Sequence, residues 1–198
     1  MSASRVLKSI PNTETVIIEA GTPLIKKYGL RIIRDIRKVA RETFVVADLK
    51  TLDAGRLEAR LAYEESADGA VVSGLAPKDT IETFLQEAGS LGMWGIVDML
   101  AVNSPLKVLM STDTKPGIVV LHRGIDEEHR RRTDLAMIKT LKRNCSGLLV
   151  AVAGGVDPVI GKRALENRAD ILVVGRYVTG SADPRKAIFE FLSLTRER

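Results

Sequence analysis

One cysteine, two histidines and 4% aromatic residues are all that this 198-residue chain offers of those types. A single thiol, Cys145, can form no internal disulfide, which fits a reducing compartment. Scarce rings leave no stacking platform for single-stranded nucleic acid. The net charge of +5 and the run Arg130, Arg131, Arg132 therefore speak more for an anionic small substrate than for nucleic acid. The longest nearly unbroken apolar run, residues 147–156, is too short to cross a bilayer. Residues 1–14 lack the apolar core of a signal peptide. A cytoplasmic protein that does not enter membranes is expected. No linker, low-complexity segment or internal boundary interrupts the chain, so residues 1–198 read as one domain.

What the chain does have is alternation. Short β-branched runs occur at residues 15–19 (TVIIE), 44–48 (FVVAD), 69–74 (GAVVSG), 94–98 (WGIVD), 117–121 (GIVVL), 148–153 (LLVAVA) and 171–174 (ILVV). They are apolar almost throughout rather than at every second residue, as expected for strands buried on both faces of a parallel sheet. Helical patterns fall between them. In residues 30–40, Ile32, Ile33, Ile36 and Val39 form one stripe. Residues 55–65 are rich in helix formers. Residues 79–88 open with Asp79 and Thr80 as possible caps and turn Ile81, Phe84, Leu85 and Ala88 inward. Residues 133–143 and 183–195 have the same character. Strand–helix alternation implies right-handed crossovers, in either an open doubly wound sheet or a closed (β/α)8 barrel. Seven strands are counted, one fewer than a closed TIM barrel contains.

In both architectures chemistry gathers where strands end. The first strand ends at Glu19 and runs on through Thr22. The second ends at Asp48, with Lys50 and Asp53 just beyond, and the fourth at Asp98. The fifth runs into His122 and Arg123, the sixth into Gly154 and Gly155, and the seventh into Gly175 and Arg176. Glu19 and Asp48 supply hard oxygen ligands at neighbouring strand ends, suited to a magnesium ion shared with substrate. Asp48 and Lys50 lie two residues apart and share one side of an extended segment. Lys50 between carboxylates stays charged and can stabilise an oxyanion. A surface Asp–Lys–Asp cluster is the alternative for that segment. His122 fits a general acid or base, or a histidine satisfied in the core. Glycines at the last two exits let backbone N–H groups approach an anion, with Arg176 as a clamp. His129 reads as solvated, and Trp94 and Tyr63 as packing residues.

These motifs together resemble the orotidine-monophosphate-decarboxylase superfamily, and within it the hexulose-6-phosphate synthase branch. They are EAGTPLIK (19–26), DLKTLD (48–53), Val97-Asp98, NSP (103–105), HRGID (122–126), AVAGG (151–155) and VGRYVTGSADP (174–184). The resemblance implies a TIM-barrel-type fold lacking its first strand. Members begin with a strand ending in an acidic residue, whereas residues 2–10 here read as the helix that would follow it. Truncation, a partner-supplied segment and an open barrel are the three explanations.

The resemblance further implies aldol chemistry between formaldehyde and ribulose 5-phosphate, to and from hexulose 6-phosphate, as in the ribulose monophosphate pathway of one-carbon metabolism. Magnesium held by Glu19 and Asp48 would stabilise an enediolate. Lys50 would stabilise the anion, Asp53 would position Lys50 and His122 would shuttle the proton. Gly154, Gly155, Gly175 and Arg176 would bind phosphate, and Thr22, Asp98 and Arg123 the rest of the substrate. A homodimer is implied, with Asp53 near the partner chain. The sister branch, 3-keto-L-gulonate-6-phosphate decarboxylase, typically carries an arginine where Ile125 stands. A barrel that binds a phosphorylated ligand without turnover is a further alternative.

Overall fold

The computed structural model describes residues 3–11, 15–127 and 134–196. His129, Arg130, Arg131 and Arg132 lie outside the described residues. The chain runs α1 (Ala3–Leu7), β1 (Ile17–Ala20), α2 (Thr22–Tyr28), α3 (Arg31–Val39), β2 (Phe44–Thr51), α4 (Gly55–Glu64), β3 (Gly69–Ser73), α5 (Lys78–Ser90) and β4 (Trp94–Asp98). It continues with α6 (Pro105–Ser111), β5 (Ile118–His122), a 3-10 turn (Ile125–Glu127), α7 (Ala136–Asn144), β6 (Leu149–Ala153), α8 (Pro158–Glu166), β7 (Ile171–Leu172), α9 (Arg176–Thr179) and α10 (Pro184–Arg196). All strand pairs are parallel, and the sheet order is the chain order, β1 to β7. This is the curled parallel sheet of a TIM-barrel-type α/β fold, with the seven strands counted from sequence. Among the described residues no ladder joins β7 back to β1.

The unbroken apolar runs are explained by two cores. Val45, Ala47, Ala70, Val72, Val97, Val119, Val150 and Val152 face the helices. Their immediate neighbours Val46, Val71, Ile96, Ile118, Val120 and Ala151 form a separate cluster inside the curl. Successive side chains on a strand point to opposite faces, so each strand must be apolar on both. Helix α3 buries Ile33 and Ile36, while Val39, expected on the same stripe, is exposed. Helix α5 buries Ile81, Phe84, Leu85 and Ala88 as expected. Asp79 and Thr80 do not cap it: Pro77 is the N-cap and Asp79 sits in the first turn, where a carboxylate favours the helix dipole.

At the amino ends of the strands, one device appears twice. Asp68 Oδ2 accepts the Val45 N–H at 2.7 Å and ion-pairs with Arg37, and its own N–H donates to the Val45 carbonyl. Asp170 treats Val150 identically, with Lys142 as the cation. Trp94 packs its ring against Gly117, where a Cβ would lie 2.8 Å from it. Both Trp94 and Tyr63 are nonetheless exposed.

Candidate active site

Because every strand runs the same way, all exits fall at one end of the sheet. Residues of inward parity arrive there as Glu19, Asp48, Ser73, Asp98, His122 and Ala153, each two positions beyond an apolar inward residue of its own strand. Strand β2 carries more than its sequence suggests. It extends to Thr51, its register with β3 shifts between Ala47 and Thr51, and Lys50 takes φ 48. A positive φ is unfavourable for a residue with a side chain and is retained where the surroundings fix it. Lys50 lies on the inner side with Asp48, to which its ammonium is bonded.

Asp98 is the hub. Its Oδ2 lies 2.7 Å from Lys50 Nζ and 2.8 Å from His122 Nδ1, and its Oδ1 accepts the Leu100 N–H at 2.8 Å. Lys50 Nζ also lies 2.8 Å from Asp48 Oδ2. One lysine thus bridges carboxylates on β2 and β4, spanning β3. Burial opposes the Lys50 charge, but Asp98 and Asp48 outweigh it and raise its pKa. Burial likewise opposes the Asp98 charge, and His122 and Lys50 reverse the effect and hold its pKa below the usual carboxylate range. With the Nδ1 proton on the Asp98 side, His122 presents Nε2 as a base. This is no surface ion-pair cluster: Asp48 is 6% exposed and Asp98 3%.

Thr22, the first residue of α2, places its hydroxyl 2.9 Å from both the carbonyl oxygen and Oδ2 of Asp48. Oδ2 is therefore shared by Thr22 and Lys50. Asp48 Oδ1 is buried with no hydrogen-bond partner. On neighbouring β1, Glu19 is open to solvent at the sheet edge yet crowded by protein and by Asp48. Burial first and the Asp48 charge second push its carboxyl up to about 7. Two crowded carboxylates, one with a bare buried oxygen, form a donor set that welcomes a hard cation. Among the described residues, no group of three or more His, Cys, Asp or Glu is arranged to hold a metal ion. The set fits magnesium in its usual mode, with one or two protein carboxylates and the remaining ligands from substrate and water.

The exits of β5 and β6 are locked together. Arg123 Nη2 donates to the Gly154 carbonyl at 3.2 Å. Gly154 has φ +91, and a Cβ there would lie 1.9 Å from the Arg123 carbonyl oxygen, so only glycine fits. Gly155 follows, also at positive φ, leading into α8 with Asp157 as its cap. Gly175 is the N-cap of α9. Arg176 is exposed and lines a groove of about 860 Å³ between α9 and α10 with Tyr177, Lys186 and Phe189. Asp53 stands apart. Its carboxylate accepts its neighbour's Ala54 N–H, it is exposed, and it lines a separate groove of about 530 Å³ with Leu57 and Arg60. Lys50 is held by Asp48 and Asp98 rather than by Asp53. Sequence reasoning missed Ser73, whose inward parity with Val71 was the available signal.

The chain matches the Orotidine 5'-phosphate decarboxylase / HUMPS family over residues 1–191. It is 50% identical over 188 residues to a bifunctional enzyme Fae/Hps of Methanospirillum hungatei, a match covering 94% of this chain and 48% of that protein. The chain thus spans about half the length of the curated relatives it matches. It is similar to a solved 3-hexulose-6-phosphate synthase, with TM-score 0.83 and 30% identity, covering 97% of this chain and 90% of that one. A 3-keto-L-gulonate-6-phosphate decarboxylase from Vibrio cholerae matches with TM-score 0.81 and 24% identity, covering 98% and 89%, a likeness of fold alone.

Proposed function

Since the chain belongs to the orotidine 5'-phosphate decarboxylase / HUMPS family, we propose that it is a lyase acting on a sugar phosphate, a 3-hexulose-6-phosphate synthase-like enzyme. It would join ribulose 5-phosphate to formaldehyde and run the reverse cleavage. The observation that carries this reading is the single lysine held between Asp48 and Asp98, with His122 on the same Asp98 oxygen.

In the synthetic direction, His122 takes a proton from C1 of ribulose 5-phosphate. Lys50, fully charged, stabilises the enediolate that results. The electron pair at C1 forms a bond to the formaldehyde carbon, and the former carbonyl oxygen of formaldehyde takes up a proton delivered by His122, so atoms and charge balance. Asp98 positions both residues, and Thr22 fixes Asp48. Arg123, Gly154, Gly155 and Gly175, at the exits of β5, β6 and β7, would form the side that receives the phosphate, with Arg176 adjoining them at the start of α9, where it lines the α9–α10 groove. Glu19 and Asp48 would hold a magnesium ion, whose charge when bound would favour negative charge on the substrate oxygens.

Exposed Leu57 and Leu61 on α4, with exposed Leu52 just before it, support a homodimer, since exposed apolar surface marks contact faces. Asp53 belongs to that face. No helix among the described residues is long and apolar enough to cross a membrane, which together with the single thiol supports placement in the cytoplasm.

Incubation with hexulose 6-phosphate and magnesium should release formaldehyde, and Lys50→Ala should lower the rate by about 10²–10³-fold. Release no faster than in Lys50→Ala would end the aldolase reading. Carbon dioxide released from 3-keto-L-gulonate 6-phosphate instead would assign the decarboxylase reaction.

A further inference from the structure

We propose that Ser73 is a substrate-binding residue, its hydroxyl donating a hydrogen bond to a hydroxyl of the bound sugar phosphate; this rests on the sugar-phosphate reading above. Ser73 ends β3 with the same parity as Val71, which lies in the inner cluster, so its side chain faces the mouth. It pairs in register with Asp98 and is 7% exposed. Lys50 on β2 reaches Asp98 on β4, and β3 lies between those strands. The lysine therefore crosses β3 at the level of Ser73, and a substrate oxygen held by Lys50 comes to rest over the serine hydroxyl.

Hydrogen-bond accounting gives Ser73 something to offer. Its Oγ accepts the Leu75 N–H at 3.2 Å, and no acceptor among the described residues takes the hydroxyl proton. A buried donor left without an acceptor is unfavourable, so the position favours a polar occupant. Neighbouring donors at the mouth already give protons to carboxylates, Lys50 to Asp48 and Asp98 among them. Thr22 gives its proton to Asp48, while Asp98 and His122 engage each other. A neutral donor cannot carry developing charge as Lys50 can. It contributes equally to bound substrate and transition state, and so to selection rather than rate.

The test uses the full chain with magnesium and measures turnover, direct binding of ribulose 5-phosphate and thermal melting for wild type, Ser73→Ala and Ser73→Thr. Ser73→Ala should raise KM and Kd about tenfold, the loss of one neutral hydrogen bond, with kcat changed less than threefold. Ser73→Thr, which keeps the hydroxyl, should stay within about threefold of wild type. Unchanged KM and Kd in Ser73→Ala would overturn the assignment. So would a fall in kcat alone, or a Ser73→Thr protein that melts like wild type yet binds like Ser73→Ala. Wild type that neither binds nor turns over ribulose 5-phosphate would overturn the parent reading, and the Ser73 assignment with it.

Discussion

The middle of the sheet and its two edges obey the same sequence rule with different results. Every residue of β3 is buried, and Val97 and Val119 in the next strands have no exposed surface. On β1, Ile17 has the inward parity of Val46 and Val71 but remains 41% exposed, and both residues of β7 are only partly buried. An apolar residue in a parallel sheet is sealed by strands on both sides, and among the described residues β1 and β7 each have one neighbouring strand. The contrast extends to the chemistry. Asp48 and Asp98, from flanked strands, are buried and held by fixed partners. Glu19, from the edge, meets solvent and has a carboxyl pushed up to about 7. The flanked strands supply a rigid scaffold, and the edge supplies an adjustable charge.

The largest expected effect compares packing in the two regions. Phe84→Ala, beneath the central strands, should cost about 3–5 kcal/mol, whereas Ile17→Ala should cost less than about 1 kcal/mol. Urea unfolding reads both, and equal losses would erase the distinction. Next come the twin aspartates. Asp68→Asn and Asp170→Asn should each cost about 1–2 kcal/mol, with the greater loss at Asp68, whose strands β2 and β3 are both flanked. The reverse order would show that the edge depends more on this device than the centre does.

The smallest effect is the pH response of the edge carboxylate. Glu19 has a pKa of about 7 in the folded chain against an ordinary 4.5, so the folded state holds more protons between those values. Stability should therefore fall as pH rises from about 4.5 to 7. Glu19→Gln, which cannot ionise, should flatten that fall when unfolding is followed with a chelator present. Identical pH profiles for the two proteins would place the titration elsewhere.

Strand positions and count were legible because parallel strands need apolar residues on both faces, and few other segments in the chain meet that demand. Glu19, Asp48, Lys50, Asp98 and His122 stood out as charged groups at the ends of those strands. Their partnerships did not. Asp98 and Thr22 read as substrate ligands from sequence, and the structure adds that Asp98 binds Lys50 and His122 while Thr22 binds Asp48. Asp53, two positions beyond the end of β2, turns out to cap its own neighbour on another face.

By itself the sequence determined the parallel α/β architecture and the end of the sheet where the polar groups collect, because alternation and strand polarity are local properties of the chain. The tertiary structure decided which carboxylate Lys50 joins, why Gly154 admits no side chain, and which of the inward residues stays open to water. Those outcomes depend on register, on the irregularity between Ala47 and Thr51 where Lys50 sits, and on how many neighbours each strand has, none of which is written in any one segment.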